Sequence, residues 1–367
     1  MRFFFVLALV TGLAAPAVAG DRSSEPRSCE VPTLTSPVCF AQRNWSEAEA
    51  SAALGPRSVM GVAESDVLNI IARRNIGPVT LCCTIDAPLA RIGDSDLWVL
   101  SVKVLKLDRA IIDLQFSSTD DTLSAFYASP RLRPARVNRL LGNVVAETIR
   151  SSPLGEDRHL SIYLPPSHDP SAREPVVYLA DGFLVELYAP AIEAAIISGR
   201  IRPVIVVGIW PGSRDPGMRA REYLIGRSDP RFREHRNFVL SEVMPLVESK
   251  YGASTQRDDR MIAGISDSAA WALATGLHEP DRFGTIASIS LGWPPAADGV
   301  GSDGRPRLYL GAGVLEPDFY RVTAQTARRA QGSDSPVMFE EFASGHVAAA
   351  WQTMLIDALA WTFPRRP

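Results

Sequence analysis

The sequence predicts an α/β protein with a mostly parallel central sheet flanked by helices, preceded by a smaller β-rich, sandwich-like N-terminal domain. Three observations predict it. From about Leu160 short β-branched runs alternate with helical patterns, as parallel strands joined by crossover helices do. Before that point strand-like runs follow one another with only turn residues between them. The chain of 367 residues is also longer than one core ordinarily needs, which favours two domains, 20–145 and 146–367.

Ahead of both lies Met1-Arg2, an apolar run from Phe3 to Ala15, and Ala17-Val18-Ala19. A charged start, a short hydrophobic core and an A-x-A site read as a cleavable signal peptide over 1–19, so the mature chain is expected to begin near Gly20 and to be periplasmic or secreted. No later run approaches the roughly 18 apolar residues of a membrane span, so no stable membrane insertion is expected after cleavage. Arginine far outnumbers the three lysines, and abundant alanine accompanies it, a composition that suits a bacterial source. A net charge of −3 excludes a globally basic nucleic-acid surface. Cys29, Cys39, Cys82 and Cys83 all lie in the N-terminal third. Export makes them disulfide staples with three possible connectivities, of which a Cys82–Cys83 bond is the least favourable because adjacent Cα atoms sit too close. No histidine accompanies them in that region, so no metal site is expected.

In the first domain Ser46-Glu47-Ala48-Glu49 is a capping box that opens a short helix, closed at Gly55. Ser65 to Arg74 reads as a second helix stopped by Gly77-Pro78. Strands follow from Val79, Asp96 and Ala110. In the second domain strands are expected at "LSIYLPP", "PVVYLAD", "RPVIVVGI", "RMIAGI", "TIASIS" and "RLYLGA". A helix with Phe238, Val243, Val247 and Tyr251 on one face should be kinked or restarted at Pro245, and an apolar helix closes the chain.

The chemistry centres on Gly264-Ile265-Ser266-Asp267-Ser268, where "RMIAG" passes directly into the alanine-rich pattern "SAAWALATGLH". A strand, a sharp turn carrying serine and then a helix is a nucleophile elbow, the hallmark of an α/β-hydrolase fold. The turn exposes Ser266 Oγ, and the amide of Asp267 points to where an oxyanion would develop. The fifth position, usually glycine, is serine here. A serine nucleophile needs a base and an acid that orients it, in the chain order serine, acid, histidine. His278 ends the helix that Ser266 opens and points away, whereas His346 lies in a small-residue loop before the final helix. After "RLYLGA" the loop offers Glu316 and Asp318 as candidate acids. The second oxyanion donor is expected from Ala180-Asp181-Gly182-Phe183, at the amide of Gly182 or Phe183.

With those residues in place the chain resembles the putative esterase branch of the α/β-hydrolases that includes enterochelin (catecholate siderophore) esterases. "RHLSIYLPP", "VVYLADG", "MRAREYL", "AGISDSAAWAL", "GAGVLEPDFYRVT" and "SGHVAAAW" carry the resemblance, and "LARIGDSDLWVLSVKV" is similar to the sandwich-like N-terminal domain of such proteins. The resemblance implies Ser266 as nucleophile, Glu316 as acid and His346 as base, with no cofactor and no metal. Asp267 departs from the family's small or amide residue and sets a carboxylate beside the oxyanion. Between Arg214 and Arg236 stand seven arginines interleaved with Tyr223, Phe232 and His235. Arg219, Arg221 and Tyr223 are the expected substrate contacts, suited to an anionic aromatic ligand; acidic residues among them also suit a salt-bridged loop. The expectation is an exported serine esterase acting on a small-molecule ester such as a ferric siderophore. A carbohydrate acetyl or feruloyl esterase, an acyltransferase and a catalytically silent binding protein are the alternatives.

Overall fold

The run "VLNII" is apolar at both helical and strand spacing, and the structure resolves it as a strand. In the computed structural model, which describes residues 27–28, 30–75, 79–82, 84–117, 123–132, 135–213, 215–293, 305–331 and 335–365, Val67–Arg73 pairs antiparallel with Val59–Glu64 on one side and Leu97–Val104 on the other. The helix expected from Ser65 to Arg74 is therefore corrected. Ser65, at φ 57°, turns the chain between the first two strands, and β-branched Val67, Ile70 and Ile71 suit the middle of a sheet covered on both faces. The signal peptide, Cys29, Cys83 and Arg214 lie outside the described residues.

Two sheets build the N-terminal region. One holds Arg27–Ser28, Val38–Phe40, Leu97–Val104, Val67–Arg73 and Val59–Glu64 in that order, with Ala90–Arg91 also paired to Leu97–Val104. The other runs Leu123–Ala128, Ile111–Ser117, Thr80–Cys82, Ala87–Pro88. Leu68, Ile70, Leu81, Val102, Leu114 and Phe116 bury their side chains between them. Helix α1 (Glu47–Leu54) has the expected capping box, with Ser46 and Glu49 each satisfying the other's backbone amide. Cys39 is disulfide-bonded, and no cysteine among the described residues is free.

An eight-stranded sheet follows. Its strands are β1 (Asn143–Arg150), β2 (Asp157–Leu164), β3 (Val176–Ala180), β4 (Ile205–Ile209), β5 (Arg260–Ile265), β6 (Thr285–Ile289), β7 (Arg307–Gly313) and β8 (Val337–Phe342), in spatial order 1-2-4-3-5-6-7-8. β2 pairs antiparallel with β1 and β4. Every pairing from β4 through β3, β5, β6 and β7 to β8 is parallel. β3, β4, β5 and β6 are buried along their whole length, as strands covered on both faces by helices must be.

Helices α2 (Leu184–Ile197) and α8 (Ala348–Thr362) pack on one face with Tyr163, Leu179, Val206 and Met261. The other face carries α3 (Pro216–Tyr223), α4 (Asp229–Phe238), α5 (Met244–Lys250) and α6 (Asp267–His278), with Trp271 and Phe283 buried against Tyr178 and Ile262. The expected disturbance at Pro245 is a π turn, Val239–Val243, just before α5. Proline has no N–H to give and crowds the carbonyl four residues back, so the ladder widens there. Helix α7 (Pro317–Ala330) packs on β7 and β8.

The parallel strands all end on one side, and the loops that follow them converge there. Asp181 follows β3, Ser266 follows β5, Ser290 follows β6, Glu316 follows β7 and His346 follows β8. This is the edge at which parallel α/β sheets gather their functional groups. The N-terminal sandwich meets the same edge. Ala343 bridges to Ala110, with Ile111 N–H donating to Ala343 O at 3.0 Å and Ala343 N–H to Arg109 O at 3.0 Å. Val314 and Ala343 bury their side chains in the sandwich's own core.

Candidate active site

Ser266 holds φ 62° and ψ −125°, a backbone shape that side chains rarely tolerate. The surroundings impose it. Ser266 N–H donates to Ile289 O at 2.9 Å, continuing the β5–β6 pairing, and the next residue already starts α6. The tight turn demands glycine at Gly264, where a Cβ would lie 1.9 Å from Ser268 O. Ser268 fits in place of the usual glycine because its hydroxyl is used. It is fully buried, accepts from Ile265 N–H at 2.9 Å, and lies 2.8 Å from both Asp181 Oδ2 and Ile265 O.

His346 Nε2 lies 3.0 Å from Ser266 Oγ, and its Nδ1 lies 2.6 Å from Glu316 Oε2. A carboxylate facing Nδ1 fixes the proton there, which leaves Nε2 free to accept the serine proton. The ring is held by stacking on Phe319, centroids 4.0 Å apart, and by the edge of Trp351 at 4.5 Å. Glu316 is 5% exposed. Its Oε1 accepts from Ser290 Oγ at 2.6 Å and from Gly313 N–H at 2.8 Å, and Trp351 Nε1–H donates to Ser290 Oγ at 3.0 Å. Asp318, the other candidate acid, is exposed and lies 3.8 Å from Arg321. The acid and histidine loops are stitched together by Leu315 N–H to Ser344 O at 3.1 Å and Val314 N–H to Phe342 O at 2.8 Å.

The oxyanion expectation divides. The amide of Gly182 donates to Ile209 O at 3.0 Å, extending the β3–β4 pairing, so it is not available as the expected donor. Gly182 is glycine for room, because a Cβ would lie 2.3 Å from the Trp210 ring. The unusual backbone angle belongs to Asp181, at φ 60°. The amides of Phe183 and Asp267 donate to no acceptor among the described residues, and Asp267 N–H lies at the positive end of α6.

The expected substrate contacts are largely redirected. Tyr223 is fully buried and its hydroxyl accepts from Asp181 N–H at 3.2 Å. Phe232 and His235 are buried too, so these aromatic rings form core and not a binding surface. Helical spacing turns Phe232 and His235 inward while Arg233 between them turns out. Arg221, two residues past Arg219 on α3, is exposed on another face. Arg219 points to the site but grips two carboxylates. Its Nε and Nη2 donate to Asp181 Oδ1 and Oδ2 at 2.8 and 2.7 Å, and Nη1 donates to Asp267 Oδ2 at 2.6 Å. Burial works against its charge, but Asp181 and then Asp267 outweigh burial and its pKa is raised. Arg231 is likewise paired with Glu222 and Glu156.

Among the described residues no group of three or more His, Cys, Asp or Glu side chains lies where it could hold a metal ion. No described helix is long and apolar enough to cross a membrane. Sequence reasoning did not single out Ser290, Phe319, Trp351 or the side chain of Asp181. Ser290 had a signal, since it stands at the carboxyl end of a buried parallel strand.

The chain is 29% identical over 136 residues to the iron(III) enterobactin esterase of Escherichia coli K12, a match spanning 33% of this chain and 34% of that protein. It is 25% identical over 238 residues to the iron(III) enterobactin esterase of Dickeya dadantii, spanning 58% of this chain and 53% of that protein. The matches thus span about a third and about half the length of these curated relatives. In three dimensions it is similar to the enterobactin esterase of Shigella flexneri crystallised in the presence of enterobactin, with a TM-score of 0.66 at 18% identity, covering 86% of this chain and 98% of that one. That likeness is one of fold. Residues 151–362, more than half of the chain, match the family described as "Putative esterase", and the chain belongs to that family.

Proposed function

We propose that this protein is an exported serine esterase that cleaves carboxylic esters through Ser266, His346 and Glu316, with a catecholate triester of the enterobactin kind as its substrate. The observation that carries the catalytic reading is the unbroken line Glu316–His346–Ser266, 2.6 and 3.0 Å, ending on a strained serine at an elbow. Family membership supports the reaction class. The names of the matched relatives support the substrate, and the signal-like residues 1–19 support export.

In the proposed mechanism Ser266 Oγ attacks the ester carbonyl as its proton passes to His346 Nε2. Glu316 holds the ring in the receptive tautomer and stabilises the imidazolium that forms. The amides of Asp267 and Phe183 receive the developing oxyanion. The tetrahedral intermediate collapses as the imidazolium protonates the departing alcohol oxygen. Water, deprotonated by His346, attacks the acyl-enzyme, and the carboxylic acid leaves as Ser266 regains its proton.

A fluorophosphonate probe tests the chemistry. The wild type is expected to label and Ser266→Ala not to; a folded wild type that never labels refutes an esterase and favours a silent binding protein. Turnover of ferric and iron-free tricatecholate triesters, compared with feruloyl and acetyl sugars, tests the substrate. Hydrolysis of the sugars alone would replace the siderophore assignment.

A further inference from the structure

Asp267 brings a carboxylate next to its own amide, where negative charge develops when an ester is attacked. A fixed anion there opposes the reaction unless it is cancelled. The structure cancels it from α3. Arg219 Nη1 donates to Asp267 Oδ2 at 2.6 Å, while Nε and Nη2 clasp both oxygens of Asp181 at 2.8 and 2.7 Å. Two-pronged pairing of this kind fixes geometry as well as charge.

The two carboxylates belong to the two turns that carry the free amides. Asp181, 2% exposed and at φ 60°, begins the turn that leads to Phe183. Asp267 opens the helix after the elbow. Ser268 Oγ, 2.8 Å from Asp181 Oδ2, ties the same two turns a second time from beneath. The guanidinium lies 5.3 Å over the ring of Tyr223, whose hydroxyl receives Asp181 N–H at 3.2 Å. Arg219 is thus tethered on its own helix and across both turns.

We propose that Arg219 is a positioning residue of the oxyanion site: it neutralises the Asp267 carboxylate and locks the Asp181 turn to the nucleophile elbow, in place of binding substrate. This rests on the ester-hydrolysis reading above. It explains how the elbow tolerates an acid after the nucleophile.

The test is a double-mutant cycle read by the second-order rate of fluorophosphonate labelling and by kcat and KM for one neutral and one anionic aryl ester. Arg219→Met is expected to slow labelling and lower kcat about a hundredfold, the scale of losing one oxyanion donor, for both esters alike. Adding Asp267→Asn to Arg219→Met is expected to restore at least tenfold, because the charge that Arg219 cancels is then gone. Arg219→Lys, which keeps the charge and provides a second variant should Arg219→Met fold poorly, is expected to retain more rate than Arg219→Met. A loss confined to KM for the anionic ester would make Arg219 a substrate contact and overturn the proposal. So would a loss that Asp267→Asn leaves unchanged. A wild type that never labels sinks the esterase reading and this proposal together, whereas a labelling wild type without rescue sinks this proposal alone.

Discussion

Replacing Glu316 by glutamine keeps its volume and removes one charge, and the surrounding donors dictate how the new amide must lie. Glu316 Oε1 receives Ser290 Oγ–H at 2.6 Å and the backbone N–H of Gly313 at 2.8 Å. The Gly313 amide can only donate, so the carboxamide oxygen has to occupy that position. The alternative sets two donors face to face in a site 5% exposed, at about 1–3 kcal/mol for each group left unmet. The NH2 group then faces His346 Nδ1, where the carboxylate oxygen stood at 2.6 Å. A ring nitrogen facing a donor must itself be the acceptor, so the imidazole proton moves to Nε2. That proton points at Ser266 Oγ, 3.0 Å away, and the histidine can no longer take the serine proton. A wrong tautomer in an intact triad costs about 10⁴ in kcat, or about 5.4 kcal/mol at 1.36 kcal/mol per decade. Burst kinetics with a p-nitrophenyl ester and the fluorophosphonate labelling rate are expected to fall together by that factor, with thermal stability nearly unchanged. A Glu316→Gln enzyme within tenfold of the wild type would refute the reasoning and leave Phe319 and Trp351 to orient the ring unaided.

Three further outcomes follow from the packing. Gly264→Ala would drive a Cβ to 1.9 Å from the backbone oxygen of Ser268. A denaturant titration should show a loss of at least about 3 kcal/mol; an unchanged midpoint would mean that the elbow is looser than its geometry implies. His235 is wholly buried among Tyr223, Phe238 and Trp271 with neither ring nitrogen bonded, and burial lowers its pKa to about 3, with Arg158 and Arg231 lowering it further and Glu222 opposing. The unfolded chain binds a proton near pH 6.5 that the native ring refuses, so this stability is present above pH 6.5 and is lost as pH falls towards 3. The loss reaches about 2 kcal/mol by pH 5, and urea midpoints of His235→Leu should decline less steeply from pH 7 to 5 than those of the wild type; equal slopes would contradict it. Gly345→Ala would set a Cβ 2.5 Å from Thr84 Oγ1, displacing the histidine loop against the sandwich. Fluorophosphonate labelling should slow about tenfold or more, on the scale of the penalty for misplacing a reacting group, and an unchanged rate would show that the loop yields without moving His346.

The parts of the site that the sequence announces are those written locally. An elbow is a strand, a serine and a helix in succession, and the order serine, acid, histidine follows from where strands end. Glu316 and Asp318 could not be separated that way, because the choice depends on Ser290, which reaches Glu316 from the end of the neighbouring strand, and on the folded loop that turns Glu316 back onto the Gly313 amide. Strands escaped for a similar reason. Val337–Phe342 carries Glu340 and Glu341, whose partners Tyr309, Arg109, Lys106 and Tyr320 come from distant segments. The arginine and aromatic stretch misled for the opposite reason. Its composition suggested a binding surface, while the three-residue spacing of Phe232, His235 and Phe238 already pointed those rings inward.

The N-terminal sandwich belongs in the same physical account as the site. Ala343 is at once the residue after β8, a bridge partner of Ala110 and a member of the sandwich core, and it stands three residues before His346. Thr84, which the sandwich presses against Gly345, donates to Asp113, a carboxylate 2% exposed whose pKa burial raises. The acid loop is anchored in the same way through Val314. Acid and base are thus held between two separately built cores, one supplying the strand ends and the other the wall behind the loops. Loosening that wall should therefore reach Glu316 and His346 before it reaches Ser266, whose elbow is fixed by Gly264, Ser268, the Arg219–Asp267 pair and the β5–β6 pairing, none of which involves the sandwich.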